Sequence, residues 1–162
     1  MLEGIIIGLV ASLVFVIYRS SRPHVSSLGR VPGAPGAYSD LTRHPENRPV
    51  SGVLIVRLDG PLYYANALTM RDRVKEMIEE AEPLPRAVIL DAAVQDKIDL
   101  TSTDMLKSLV KELHAKGIAV YAAEVHAPVL EFSRQTGLLA LLGEDHIFPT
   151  VDLAARFVEE HA

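Results

Sequence analysis

The sequence predicts an α/β domain with a small, mainly parallel sheet and helices packed on it, preceded by one apolar helix. Three observations lead there. Short runs rich in β-branched residues at 53–56, 87–90 and 118–121 alternate with helix-periodic segments, the order of a sheet built through right-handed crossovers. The run IIIGLVASLVFVI at 5–17 carries no charge. Charge is also unevenly spread: residues 19–50 hold five arginines against two acids, net +3, whereas the remainder from Ser51 onward holds 11 basic and 18 acidic residues, net −7.

Residues 1–18 are expected to span a membrane. Eighteen residues reach about 27 Å as a helix, close to the roughly 30 Å hydrocarbon core. The run is apolar on every face, which does not suit the surface of a soluble domain. A secretory signal would open with positive charge and close on small residues; here Glu3 is the charge before the run, and Tyr18-Arg19 follow it. A buried core helix is the alternative at this length. Arg19 and Arg22 just after the span place the rest of the chain on the cytoplasmic side.

Residues 19–50 read as a Pro/Gly/Arg-rich linker. Pro23, Pro32, Pro35, Pro45 and Pro49, with Gly29, Gly33 and Gly36, leave no helical periodicity. Arg19, Arg22 and Arg30 beside an apolar span suit an anionic leaflet, while Arg43 and Arg48 read equally well as solvated.

Residues 51–162 are expected to form the folded domain. The strand at 53–56 leads through Asp59-Gly60-Pro61 turn chemistry into a short second strand at 62–64, an opening hairpin. Met70, Val74, Met77 and Ile78 mark a helix over 67–81, with Asn66 as cap and Pro83 and Pro85 beyond its end. The continuous apolar run 87–90 reads as a central strand. A helix over 101–116 follows, striped by Met105, Leu106, Leu109, Val110 and Leu113 and stopped at Gly117. A strand at 118–121, a helix at 128–136 ending on Gly137, a stub strand at 147–148 and a helix at 151–160 capped by Thr150 complete the order.

The segment 91–104, DAAVQDKIDLTSTD, holds the candidate site. Asp91, Asp96, Asp99 and Asp104 surround the carboxyl end of the central strand and the start of the next helix, where open α/β sheets bind ligands. A calcium loop needs tighter alternation and a central glycine, which this loop lacks. Asp99 or Thr101 reads as the helix cap and Asp104 as a favourable first-turn charge. Thr101 and Ser102 are the hydroxyls positioned to accept phosphate.

Other chemistry has little support. Six histidines show no i, i+3 or i, i+4 pair, so metal ligation is not expected. There is no G-x-S-x-G, no G-x-G-x-x-G and no P-loop, so no nucleophile elbow and no nucleotide cofactor are expected. Without cysteine there is no disulfide framework, thiol nucleophile or zinc ribbon. A net charge of −5 argues against nucleic acid as partner. The sequence reads as a non-enzyme.

The ordered motifs resemble the end of SulP-family anion transporters. The carriers are Glu3-Gly4 before the apolar span, Arg22-Pro23-His24, the stretch LGRVPG at 28–33, Arg43-His44-Pro45-Glu46, the stretch GPLYYANA at 60–67, and Val88-Ile89-Leu90-Asp91 with Ile98-Asp99 and Thr101. In that family the last transmembrane helix runs into a cytoplasmic STAS domain. The resemblance implies a small mixed sheet with helices on one side, serving regulation and protein contact, in the inner or plasma membrane. It implies sulfate or another inorganic anion as cargo of the complete transporter, whose anion site lies among membrane helices this chain lacks. Implied partners are the transporter's membrane domain or cytoplasmic regulatory proteins, and the resemblance leaves a homodimer open.

The alternative is a membrane-tethered antagonist in a partner-switching cascade, like bacterial anti-sigma-factor antagonists. Those carry a phosphorylatable serine just after the aspartate matching Asp99, where this chain has Leu100. The small residue often found after the Ser/Thr pair is replaced by Ser102-Thr103.

Overall fold

The computed structural model describes residues 2–161. Helix α1 (Leu2–Ser20) contributes no buried residue and meets the domain at its last residue. Strands β1 (Val25–Arg30), β2 (Tyr38–Asp40), β3 (Val53–Leu58), β4 (Ala87–Asp91), β5 (Ala119–Ala123) and β6 (Ile147–Phe148) form one sheet in the order β2-β1-β3-β4-β5-β6. β3 to β6 run parallel, and β1 pairs antiparallel with both β2 and β3. Ile55, Val56, Val88 and Ile89 are at most 1% exposed, as the middle of a sheet covered on both faces requires. Each contributes on the order of 2 kcal/mol by leaving water.

One face carries α2 (Ala67–Glu80), α3 (Leu100–Ala115) and α5 (Leu138–Leu142), with α4 (Ala127–Thr136) leading into α5. Met70, Val74, Ile78, Leu109 and Leu113 bury against Leu54, Val88 and Val120 there. The opposite face is covered by α6 (Val151–Glu160), through Val151, Ala154, Ala155 and Val158 on Ile55 and Ile89. The implied one-sided helix layer is therefore incomplete. The small side chains of Ala154 and Ala155 let α6 lie close on the sheet.

Two expectations about strands are corrected as well. The stretch 19–50 is not a linker throughout, because β1 and β2 lie within it and extend the sheet. Ser26, Ser27 and Gly29 hide β1 from a β-propensity reading, yet β3 supplies the pairing, with Val25 opposite Leu58 and Ser27 opposite Val56. Leu28 is 2% exposed. Gly29 is required by close packing: a Cβ there would lie 2.5 Å from Leu41 Cδ2 and 2.9 Å from the Arg48 carbonyl oxygen. The prolines fall outside both strands, in the connections.

The second correction concerns residues 62–64, which form no strand. The Asn66 and Ala67 amides both donate to the Tyr63 carbonyl, at 3.0 and 3.1 Å, so the chain turns into α2 instead. Asn66 does not cap α2 by its side chain. Its Oδ1 accepts from the Tyr63 amide at 3.0 Å and its Nδ2 donates to the Pro61 carbonyl at 2.9 Å, which fixes that turn. Thr150 caps α6 as expected, accepting from the Leu153 amide at 3.2 Å. Gly117 and Gly137 adopt φ of 74° and 80° where their helices stop, a left-handed conformation that glycine adopts without penalty.

Candidate functional site

The loops after β3 and β4 meet at the carboxyl end of the parallel strands, and the four aspartates of 91–104 separate into different roles. Asp91 is structural. Its side chain is fully buried and accepts from Arg57 Nε at 2.8 Å and from a terminal guanidinium nitrogen of Arg57 at 2.5 Å. Its second oxygen accepts from the Ala93 amide at 2.9 Å, turning the chain out of β4. Parallel register sets Arg57 directly beside Asp91.

Asp99 is the cap of α3. Oδ1 accepts from the Ser102 amide at 2.7 Å, and Oδ2 accepts from the Tyr64 amide at 2.7 Å. One carboxylate thus closes the helix start and holds the 60–66 turn against it. Burial pushes its pKa up, but the amides of Ser102 and Tyr64 outweigh that and hold it below the ordinary carboxylate value. Asp96 is exposed and, among the described residues, makes no ion pair or hydrogen bond. Asp104 lies in an exposed pair with Lys107 at 3.6 Å.

The two candidate hydroxyls differ sharply. Ser102 is 0% exposed, and its Oγ has no hydrogen-bond partner. Thr101 is exposed on the first turn of α3. Of these two hydroxyls, Thr101 is the one that reaches solvent.

Sequence reasoning missed Gln95. This residue is 8% exposed; its Oε1 accepts from the Leu62 amide at 2.7 Å and its Nε2 donates to the Gly60 carbonyl at 2.9 Å. It ties the two loops as Asp99 does from the other side. His126 hydrogen-bonds the Ala93 carbonyl through Nε2 at 2.8 Å. The one available signal was the charge pair Arg57 and Asp91 at the ends of two apolar strands, which needs the strand register to be read. Beside the Asp99–Tyr64 contact, Tyr64, Leu68 and Leu100 are 69%, 59% and 59% exposed.

Of the arginines expected at a membrane, Arg30 is committed elsewhere. Glu159 binds it through both oxygens at 2.9 and 2.7 Å, and Tyr38 accepts from its Nε at 3.0 Å. The Glu159 pairing raises its pKa further. This pairing joins β1 to α6. Arg22 stacks over the Tyr18 ring at 4.8 Å. The end of α1 touches the domain through Ser20 Oγ and the Tyr63 hydroxyl, 2.6 Å apart.

Removing the cap should show in acid. Asp99 is held ionised in the fold, so its stabilisation is full above the unfolded value of about 4 and is lost as pH falls through the lower folded value. Asp99→Ala is expected to cost about 1 kcal/mol at pH 7 and to lose less further stability than the parent between pH 5 and 3. Urea unfolding at both pH values reads this out. Parallel losses on acidification would refute it.

A sheet whose strand ends carry a hydrogen-bonded loop and a capped helix, joined to a long apolar helix, defines a small α/β module attached to a hydrophobic segment. Among the described residues, no group of three metal-ligating side chains assembles. The chain belongs to the STAS domain family, whose model matches residues 44–154.

It is 32% identical over 162 residues to a probable sulfate transporter of Arabidopsis thaliana and 33% identical over 153 residues to one of Mycobacterium tuberculosis. Each alignment covers 94% of this chain but only 24% and 27% of the relatives, so the chain spans about a quarter of their length. The murine Slc26a9 anion transporter in its inward-facing state superposes with a TM-score of 0.82 at 24% identity, over 98% of this chain and 26% of that one. An anti-sigma factor antagonist of Mycobacterium paratuberculosis superposes with a TM-score of 0.56 at 17% identity, over 67% and 87%. At those identities the superpositions establish the fold. The resemblance to SulP-type transporters read from the sequence is borne out by the family and the relatives, which are described as a domain and as transporters rather than as enzymes.

Proposed function

We propose that this chain is the membrane-anchored C-terminal part of a SulP-type inorganic-anion transporter, in which the STAS domain regulates and makes protein contacts. It performs no chemistry and is not transport-competent alone. Residues 1–18 form a single span, and the domain lies in the cytoplasm, held near the membrane by Arg19 and Arg22. The folded body begins near Val25 rather than at Ser51. The loop of Asp91, Asp96, Asp99, Thr101 and Ser102 builds the regulatory surface: Asp91, Asp99 and Ser102 hold it from within, and Thr101, Leu100 and Tyr64 are the groups a partner touches.

One observation carries the reading. Helix α1 has nineteen residues, eighteen of them in a stretch of mean hydropathy 2.0, and none is buried. Apolar surface on that scale needs a cover, and the helix length matches a bilayer. The Ser20–Tyr63 contact then sets the domain immediately beneath it.

Fractionation tests this reading. The full chain should remain in the membrane pellet through alkaline carbonate washing and should leave it with detergent. The domain should be digested by protease added from the cytoplasmic side. A chain that stays in the soluble fraction without detergent would remove the anchor, and sulfate uptake by vesicles holding this chain alone would overturn the regulatory reading. The exposed hydroxyl of Thr101 is what favours the partner-switching alternative, and phosphate on Thr101 in mass spectra of the chain from cells would support it.

A further inference from the structure

On the face that carries α2 and α3, the helices stop short of one flank of the sheet. α2 packs against β3 and the near part of β1, and among the described residues no helix lies beyond it over β1. A groove of about 1030 Å³ occupies that place. Its floor is apolar, with Val25, Leu41, Leu54 and Met77.

One wall is acidic. Asp72, Glu76 and Glu80 recur every fourth residue along α2 and so share a face, and Glu82 lies just past the helix end. Two arginines of α2 offset part of this charge: Arg71 holds Asp72 at 2.8 Å, and Arg73 is divided between Glu76 at 3.0 Å and Glu80 at 3.7 Å. The groove begins at Arg22 and Pro23, immediately after α1. It therefore opens at the end of the domain nearest the anchor.

These features select an occupant. A second copy of the domain, net −6 from Val25 onward, would set like charge against the acidic wall, and anionic headgroups would meet the same repulsion. A basic amphipathic helix fits: apolar residues on the floor, and lysines or arginines along the roughly 12 Å from Asp72 through Glu76 to Glu80. Cytoplasmic loops of membrane proteins are enriched in lysine and arginine, and the relatives are about four times as long as this chain. We propose that the groove receives a basic, amphipathic segment from the cytoplasmic face of the transporter's membrane domain. This rests on the transporter reading above and names the contact through which that domain is held.

Both apolar cores lie between Val25 and Val158, so a piece covering 21–162 keeps every core contact and folds without α1. A synthetic Lys/Leu peptide of helical period, about eighteen residues long, is titrated into this piece while amide resonances are followed. Shifts should concentrate on Val25, Ser27, Gly52, Met77 and Ala81. Glu76→Lys combined with Glu80→Lys, at side chains 60% and 67% exposed, should weaken binding about tenfold or more and leave the unfolding midpoint in place.

Equal binding of a Glu/Leu peptide, shifts scattered over the acidic surface, or no loss in the double variant each overturn the proposal. Shifts at these amides caused by anionic vesicles, or by self-association of the piece, overturn it in favour of lipid or of a second copy. A chain that stays in the carbonate-washed pellet while the groove ignores the Lys/Leu peptide loses only the groove. A soluble chain whose groove binds it loses the transporter reading.

Discussion

Asp91→Ala should destabilise the domain by about 3–5 kcal/mol, the usual cost of breaking a buried ion pair from one side. The carboxylate is completely enclosed and accepts from Arg57 and from the Ala93 amide. Removing it strands a guanidinium that is only 30% exposed and frees the turn that aims the 91–99 loop. Against a total stability on the order of 5–15 kcal/mol, that is at least about a fifth of the total and, at the low end, nearly all of it. Asp91→Leu combined with Arg57→Met should recover most of the loss, because no uncompensated charge then remains. Urea unfolding of the full chain in nonionic micelles measures both. A loss below about 1 kcal/mol for Asp91→Ala would place the pair among ordinary surface contacts.

Val10→Arg should release the chain from the membrane without loosening the domain. Val10 is 54% exposed and lies near the middle of α1, where an arginine costs about 3 kcal/mol of insertion free energy. The span is barely long enough to cross, so it has little surplus apolar length to absorb that cost. The variant is expected in the soluble or aggregated fraction after carbonate washing, while the parent stays in the pellet. The unfolding midpoint of the domain should not move, because α1 contributes no buried residue. Retention of Val10→Arg in the pellet would show that something other than α1 holds the chain there.

The sequence announced most of this architecture for identifiable reasons. Val88 and Ile89 sit in a central strand because continuous apolar residues suit a strand covered on both faces. The stripes of α2 and α3 follow the helical period, and Gly117 and Gly137 end helices where only a left-handed residue continues the chain. β1 was illegible. VSSLGR has neither alternation nor strong β-propensity, and it becomes a strand only because β3 and β2 offer hydrogen bonds on both sides. Residues 62–64 failed in the opposite direction: β-favouring tyrosines found no neighbouring strand and turned into α2.

The candidate loop divides along the same line. That aspartates cluster after the central strand and that Asp99 or Thr101 caps the next helix are local facts of residue type and spacing, so the sequence determined them, and the structure chose Asp99. Tertiary structure decided that Asp91 is spent on Arg57, that Asp99 also holds the Tyr64 amide, that Ser102 is sealed in while Thr101 faces solvent, and that Arg30 is taken up by Glu159. Helix and strand periods are set by neighbours a few residues apart, whereas strand register and burial depend on partners 34, 35 or 129 residues away. Only the folded chain brings those partners within hydrogen-bond reach.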